Sequence, residues 1–206
     1  MRTPLLSRSL SLLPLLLLAF AAAACSGGSQ APSPESAQPS EAPVTAPVAR
    51  AVLEPLGDSG VSGWVSFTAV DDGVRVEAQV TGLTPGDHGF HVHQWGDCSS
   101  PDGKSAGGHF NPAGVAHAAP DAPEAHAGDL GNIVANDEGV AVLDVVSHRF
   151  SLEEGAANSI LGRGVIVHAG TDDLTSQPSG AAGPRVACGV ILLEGGQTAP
   201  LLAPTE

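Results

Sequence analysis

The chain has 206 residues, 42% of them hydrophobic and 15% charged, with 8 Lys and Arg against 22 Asp and Glu and a net charge of −14. That length fits one domain, or one domain with appendages. The acidic balance excludes a nucleic-acid binder, which needs a basic stripe, and Lys104 is the only lysine. It does not exclude a small anionic substrate, because local positive charge in a cleft decides that case.

The N-terminus reads as an export signal over residues 1–24. Arg2 and Arg8 give it a positive start, and Leu10 to Ala24 is an apolar run of 15 residues, short for a membrane span. It ends in Ala22-Ala23-Ala24-Cys25, which resembles a bacterial lipobox with Ala22 at the position usually held by Leu. The resemblance implies cleavage before Cys25 and a lipid anchor on its thiol, holding the protein at a membrane. An ordinary signal peptide is the alternative. Removing Arg2 and Arg8 with the signal leaves 6 basic residues against 22 acidic ones, a net of −16. Residues 25–49 are rich in Ser, Pro and Ala without apolar periodicity, as expected of a flexible tether. The domain is expected over residues 50–194, followed by a disordered Pro- and Ala-rich tail over 195–206.

Within the domain the pattern is short, β-rich and punctuated by turns. Ala51 to Leu56 and Gly60 to Val70 are strand candidates, the second closed by the hairpin signal Asp71-Asp72-Gly73. Val74 to Val80 alternates apolar and polar residues, the mark of a strand with one buried face. Gly89 to Gln94 follows. Trp95 to Asp129 has no strand period and is full of Gly, Pro, Asp and His, so it reads as a functional loop. Leu130 to Asn136 and Gly139 to Val146 form a hairpin around Asp137-Glu138. Gly164 to His168 is a further strand. A second loop, Ala169 to Pro184, precedes the last strand, Val186 to Leu193. The expected fold is all-β, with about eight antiparallel strands in a barrel or sandwich and two large loops.

Histidines carry the chemical signal. In a strand, His91 and His93 point to the same face and can share one ion. His109, His117, His126 and His168 follow, with Asp129 three residues after His126. Neutral imidazole suits copper and zinc, and a carboxylate among several imidazoles suits zinc. His88 lies three residues before His91, on the opposite strand face, and His148 belongs to no motif; both are expected to be structural or solvated. Of the three cysteines, Cys25 is the one expected to take the lipid. In an oxidising compartment Cys98 and Cys188 are then expected to pair, closing a loop worth up to about 4–5 kcal/mol. Soft metal ligands are the alternative.

Four ordered motifs now stand together: Gly89-Phe-His-Val-His-x-x-Gly-Asp97, Gly107-Gly-His-Phe-Asn-Pro112, His126-Ala-Gly-Asp-Leu-Gly-Asn132 and Gly183-Pro-Arg-Val-Ala-Cys-Gly-Val-Ile191. Jointly they resemble the copper/zinc superoxide dismutases, bacterial exported type, over about residues 50–194. The resemblance implies a Greek-key barrel with copper on His91, His93, His109 and His168. Zinc is implied on His109, His117, His126 and Asp129, with His109 shared as a bridge. It matches Cys98 and Cys188 to the family's intrachain disulfide, and Arg185 to the arginine that draws in the anion. It matches Asp172 to the aspartate that links a ligand on each metal, His91 and His117. The implied reaction is disproportionation of superoxide to dioxygen and hydrogen peroxide by Cu(II)/Cu(I) cycling, with zinc structural and His109 carrying a proton. The implied role is protection of the cell envelope, and a homodimer is admitted. The second loop carries no lysine, so the basic residues that assist steering there have no counterpart. A non-catalytic envelope protein that buffers copper or zinc is the competing function.

Overall fold

The computed structural model describes residues 46–204. The export signal, Cys25 and most of the tether lie outside them. Among the described residues there are nine strands: β1 Val48–Pro55, β2 Ser62–Val70, β3 Gly73–Thr81, β4 Gly86–His93, β5 Asp129–Ala135, β6 Ala141–Ser147, β7 Gly164–His168, β8 Arg185–Val190 and β9 Leu192–Leu193. All pairings are antiparallel, in the order β2-β3-β6-β5-β4-β7-β8-β1. The additional β1–β2 pairing closes these eight strands into a barrel. Closure leaves no open edge. Because β3 pairs with β6 and β4 with β7, the connections cross over, as the Greek-key expectation requires.

Local chemistry explains the elements. The β2–β3 hairpin closes on Val70 opposite Gly73, with Asp71-Asp72 as the two-residue turn. The β5–β6 turn is held by Asn136, whose side-chain oxygen accepts from the Glu138 and Val140 amides. Gly139 supplies the positive φ of 74° that this turn needs. Along β3 the buried residues alternate (Val74, Val76, Ala78, Val80) and fill the interior with Val65, Phe67, Phe90, Val92, Ile133 and Val165. Phe67 meets Phe150 edge to face at 6.3 Å.

Three departures from the sequence expectation have a visible cause. β1 begins at Val48 rather than at Ala51, because Val48 and Ala49 pair with Thr68 and Phe67. The last strand, expected to be continuous, is broken at Ile191. There the Ile191 amide turns to the Arg163 carbonyl before the chain resumes against Ala49 and Arg50 as β9. The segment after Gly195, expected to be disordered, returns to the barrel. The Leu201 carbonyl accepts from the Gly96 amide and its own amide donates to Gly162, both at 2.6 Å. These two backbone hydrogen bonds, each worth about 0.5–1.5 kcal/mol net, fix where the tail meets the barrel.

Strand β4 serves two environments. Phe90 and Val92 point into the barrel, while Gly89, His91 and His93 point out, yet every residue from His88 to His93 is buried. Loops covering the outer face account for that burial. Phe90→Ala should remove about 3–5 kcal/mol of unfolding free energy by opening a cavity at the barrel centre. Guanidinium denaturation of the disulfide-bonded protein measures this, and a loss below 1 kcal/mol would contradict the assigned core.

Candidate metal centre

The outer face of β4 supplies the floor of the site. His91 and His93 stand with ring centroids 6.4 Å apart. β7 runs beside β4 and ends at His168, whose ring lies 5.1 Å from that of His91. His109 enters from the first loop through an isolated bridge to His93, its ring 4.0 Å from His91 and 5.1 Å from His93. The loop is stitched down by strand-like bonds: Val92 donates to Gly128, Gly128 to Phe110, and Phe110 back to Val92, at 2.8–2.9 Å. Gly128 is glycine for a steric reason, since a Cβ there would collide with the Val92 carbonyl. The same stitching carries His126 and Asp129 to the far side of His109.

Two groups of ligand atoms result. His91, His93, His109 and His168 form one; His109, His117, His126 and Asp129 form the other; within each, the donor atoms lie within 4.8 Å of one another. In the second, Asp129 Oδ1 lies 2.7 Å from His109 Nδ1, 3.0 Å from His117 Nδ1 and 3.3 Å from His126 Nδ1. Its other oxygen accepts from the His126 and Ala118 amides, which aims Oδ1 at the three rings.

Hydrogen bonds on the opposite ring atoms decide which nitrogen faces each centre. His93 Nδ1 donates to the Gly107 carbonyl at 3.0 Å and His168 Nδ1 to that of Gly183 at 3.1 Å. Asp172 accepts from His91 Nε2 at 2.8 Å and from His117 Nε2 at 3.0 Å. Asp172 is itself fixed by Asn132, which accepts from its amide and donates to its carbonyl, and by the Leu174 amide on Oδ1. The partners therefore hold the protons on the outer nitrogens and leave lone pairs facing inward. The inward atoms His91 Nδ1, His93 Nε2, His109 Nε2, His117 Nδ1, His126 Nδ1 and His168 Nε2 are buried without hydrogen-bond partners.

Electrostatics keeps the His91, His93, His126 and His168 rings neutral and the Asp129 and Asp172 carboxylates charged. Burial pushes His91 down to about 4, against the pull of its Asp172 bond, and His168 down to about 3. Burial drives His93 well below its ordinary value and lowers His126. Burial would raise Asp172, but the His91 bond and the Leu174 amide outweigh it and hold the carboxyl at about 2. Asp129 is likewise lowered, burial being overcome by His109 and the other histidines. Neutral imidazole and ionised carboxylate are the forms that bind metal. Leaving this many buried polar atoms unpaired is costly unless a cation meets them.

Arg185 opens β8 beside this cluster. Its guanidinium donates to the Gly103 carbonyl at 2.5 Å and the Gly107 carbonyl at 2.7 Å. The Gly107 carbonyl thus serves both Arg185 and His93. Cys98 and Cys188 form a disulfide with Cα atoms 5.7 Å apart, tying the segment that holds Arg185 to β8. A cavity of about 840 Å³ opens here, lined by His93, His109, His168, Asn111, Lys104 and Arg185.

A model of the protein family described as copper/zinc superoxide dismutase (SODC) matches residues 61–191. The chain belongs to the copper/zinc superoxide dismutase family. It is accordingly an oxidoreductase acting on superoxide, with copper and zinc as its metals. The residues present fit those metals. An all-imidazole set suits a redox-active copper, and three imidazoles with one carboxylate suit zinc.

His88 and His148 lie outside both groups. Both His88 ring nitrogens face carbonyls, of His168 and Thr84, at 2.8 Å, and His148 is 63% exposed. Sequence reasoning missed the Gly103 and Gly107 carbonyls that hold Arg185, and Asn132 behind Asp172. No spacing rule marks a backbone carbonyl as a partner. Asp172→Asn leaves one carbonyl oxygen for two ring N–H groups, so retention of both metals in this superoxide dismutase should fall about 10- to 100-fold. Chelator competition scored separately for copper and zinc tests this, and a loss confined to one metal would contradict the linkage.

Proposed function

We propose that this chain is an exported, lipid-anchored copper/zinc superoxide dismutase that removes superoxide at the cell envelope. The observation that carries the reading is the pair of ligand groups sharing His109, six inward nitrogens unpartnered, beside Arg185 in an open cavity. On this reading His91, His93, His109 and His168 hold copper. His109, His117, His126 and Asp129 hold zinc, with Asp172 linking the two sets behind the rings. Copper supplies one-electron redox chemistry when bound, and zinc holds structure.

The chain's own groups do the rest. Overall, two superoxide anions and two protons become one dioxygen and one hydrogen peroxide. Arg185 supplies fixed positive charge at the cavity in a chain of net charge −14. Two carbonyls hold its guanidinium, so the remaining N–H groups orient an incoming anion at no further ordering cost. His109 lines the cavity, and its buried, unpartnered Nε2 is the atom suited to take up one proton and hand it on. Lys104 stands at the cavity but pairs with Asp102 at 2.8 Å, so Arg185 carries most of the attraction.

Export is supported by the apolar run before Cys25 and by the Cys98–Cys188 disulfide, which persists in oxidising compartments. The homodimer that the resemblance admits belongs to the same reading, and light scattering on the released domain decides it.

Arg185→Ala should lower the second-order dismutation rate about 10- to 100-fold and flatten its dependence on ionic strength, with metal content unchanged. Pulse radiolysis on metal-verified protein reads this; an unaltered salt dependence would remove Arg185 from the role. For the anchor, Cys25→Ser should move the protein from the membrane fraction to the soluble one and abolish labelling by a radioactive fatty acid. Membrane retention of that variant would overturn the lipid anchor.

A further inference from the structure

His117 sits in the first loop, in a stretch that belongs to no strand. Its ring is fixed by Asp172, but ring fixation alone does not place the Cα. Among the described residues its main-chain groups have one partner, the side chain of Gln177, 60 residues away in the second loop. Gln177 Oε1 accepts from the His117 amide at 2.9 Å, and Gln177 Nε2 donates to the His117 carbonyl at 2.8 Å. A side-chain amide thus pairs with both main-chain groups of one residue, as a neighbouring strand would.

The turn that carries Gln177 is itself braced. Asp173 accepts from the Thr175 and Ser176 amides at 2.9 and 2.7 Å, and its own amide donates to Gly180 at 2.8 Å. The Gly180 amide closes back on the Ser176 carbonyl at 2.7 Å. A Cβ at Gly180 would collide with the Asp172 carboxylate, so the turn packs directly on the group that holds the His117 ring. Gln177 Nε2 also donates to the Thr175 carbonyl at 3.1 Å, which limits its rotamers.

We propose that Gln177 is a positioning residue that clasps the His117 main chain and so keeps this ligand on zinc, leaving copper retention untouched. The clasp rests on the reading of His117 as a zinc ligand. Together Gln177 and Asp172 let the second loop grip this ligand at both ends: main chain and ring. The loop around His117 has no ladder of its own, so loss of the clasp leaves its main chain held only through the neighbouring Ala118 amide on Asp129, while Asp172 still holds Nε2. The ring must then tilt about that hydrogen bond, which misdirects Nδ1.

The test uses the metal-loaded full chain and three proteins: wild type, Gln177→Met and His117→Gln. Methionine keeps the side chain's length and removes both hydrogen bonds. Zinc release into excess chelator is followed with a zinc dye, copper is assayed on the same samples, and the visible bands of cobalt in place of zinc report ligand geometry. Gln177→Met should release zinc roughly tenfold faster and shift the cobalt bands, with copper retention as in wild type. Wild-type release from Gln177→Met, while His117→Gln loses zinc, would overturn the clasp and leave the ligand reading standing. Wild-type zinc retention in His117→Gln would overturn the ligand reading and the clasp with it. Parallel loss of copper and zinc from Gln177→Met would show general loosening and also overturn the proposal.

Discussion

One strand with two buried faces organises this molecule. On β4, Phe90 and Val92 belong to the barrel core, and His91 and His93 to a polar site outside the barrel wall. The alternation of side chains along a strand enforces that division. The site's floor is therefore as rigid as the core behind it, because neither histidine can move without moving Phe90 or Val92. A closed barrel resists such motion, since each of its eight strands is bonded on both sides. The loops inherit this rigidity through bonds to β4, from Gly128 and Phe110 on one side and Gly170 on the other.

The site is then defined less by the ligands than by what stands behind them. Each of His91, His93, His117 and His168 gives its outer N–H to a fixed acceptor. Two of those acceptors are the oxygens of Asp172, so the two metal groups share one support as well as one ligand. The acceptors set the tautomer, burial keeps the His91, His93 and His168 rings neutral, and the unpaired nitrogens converge. Arg185 is supported in the same manner, on carbonyls of the segment that the Cys98–Cys188 bond anchors. Catalytic power in such a site comes from groups already aimed before substrate arrives.

Much of this was legible in the chain. Alternation in Val74 to Val80 gave away β3, and Asp71-Asp72-Gly73 gave away its hairpin, because both are local signals. The four ordered motifs pointed to the family, and their histidines, with Asp129, come together in space. The start of β1 at Val48, the break at Ile191 and the docked Leu201 were not legible. Each depends on partners far away in sequence, such as Thr68, Arg163 and Gly162.

By itself the sequence determined which residue types could hold metal, which strand faces were apolar and which cysteines remained to pair. These follow from side-chain chemistry and a period of two, both read within a few residues. Tertiary structure alone decided that Asn132 stands behind Asp172, and that Gln177 reaches the main chain of His117. It also decided that two glycine carbonyls hold Arg185. Those facts arise where loops remote in sequence meet over a closed barrel, and the deciding partners are backbone groups, which every residue carries and no sequence pattern distinguishes.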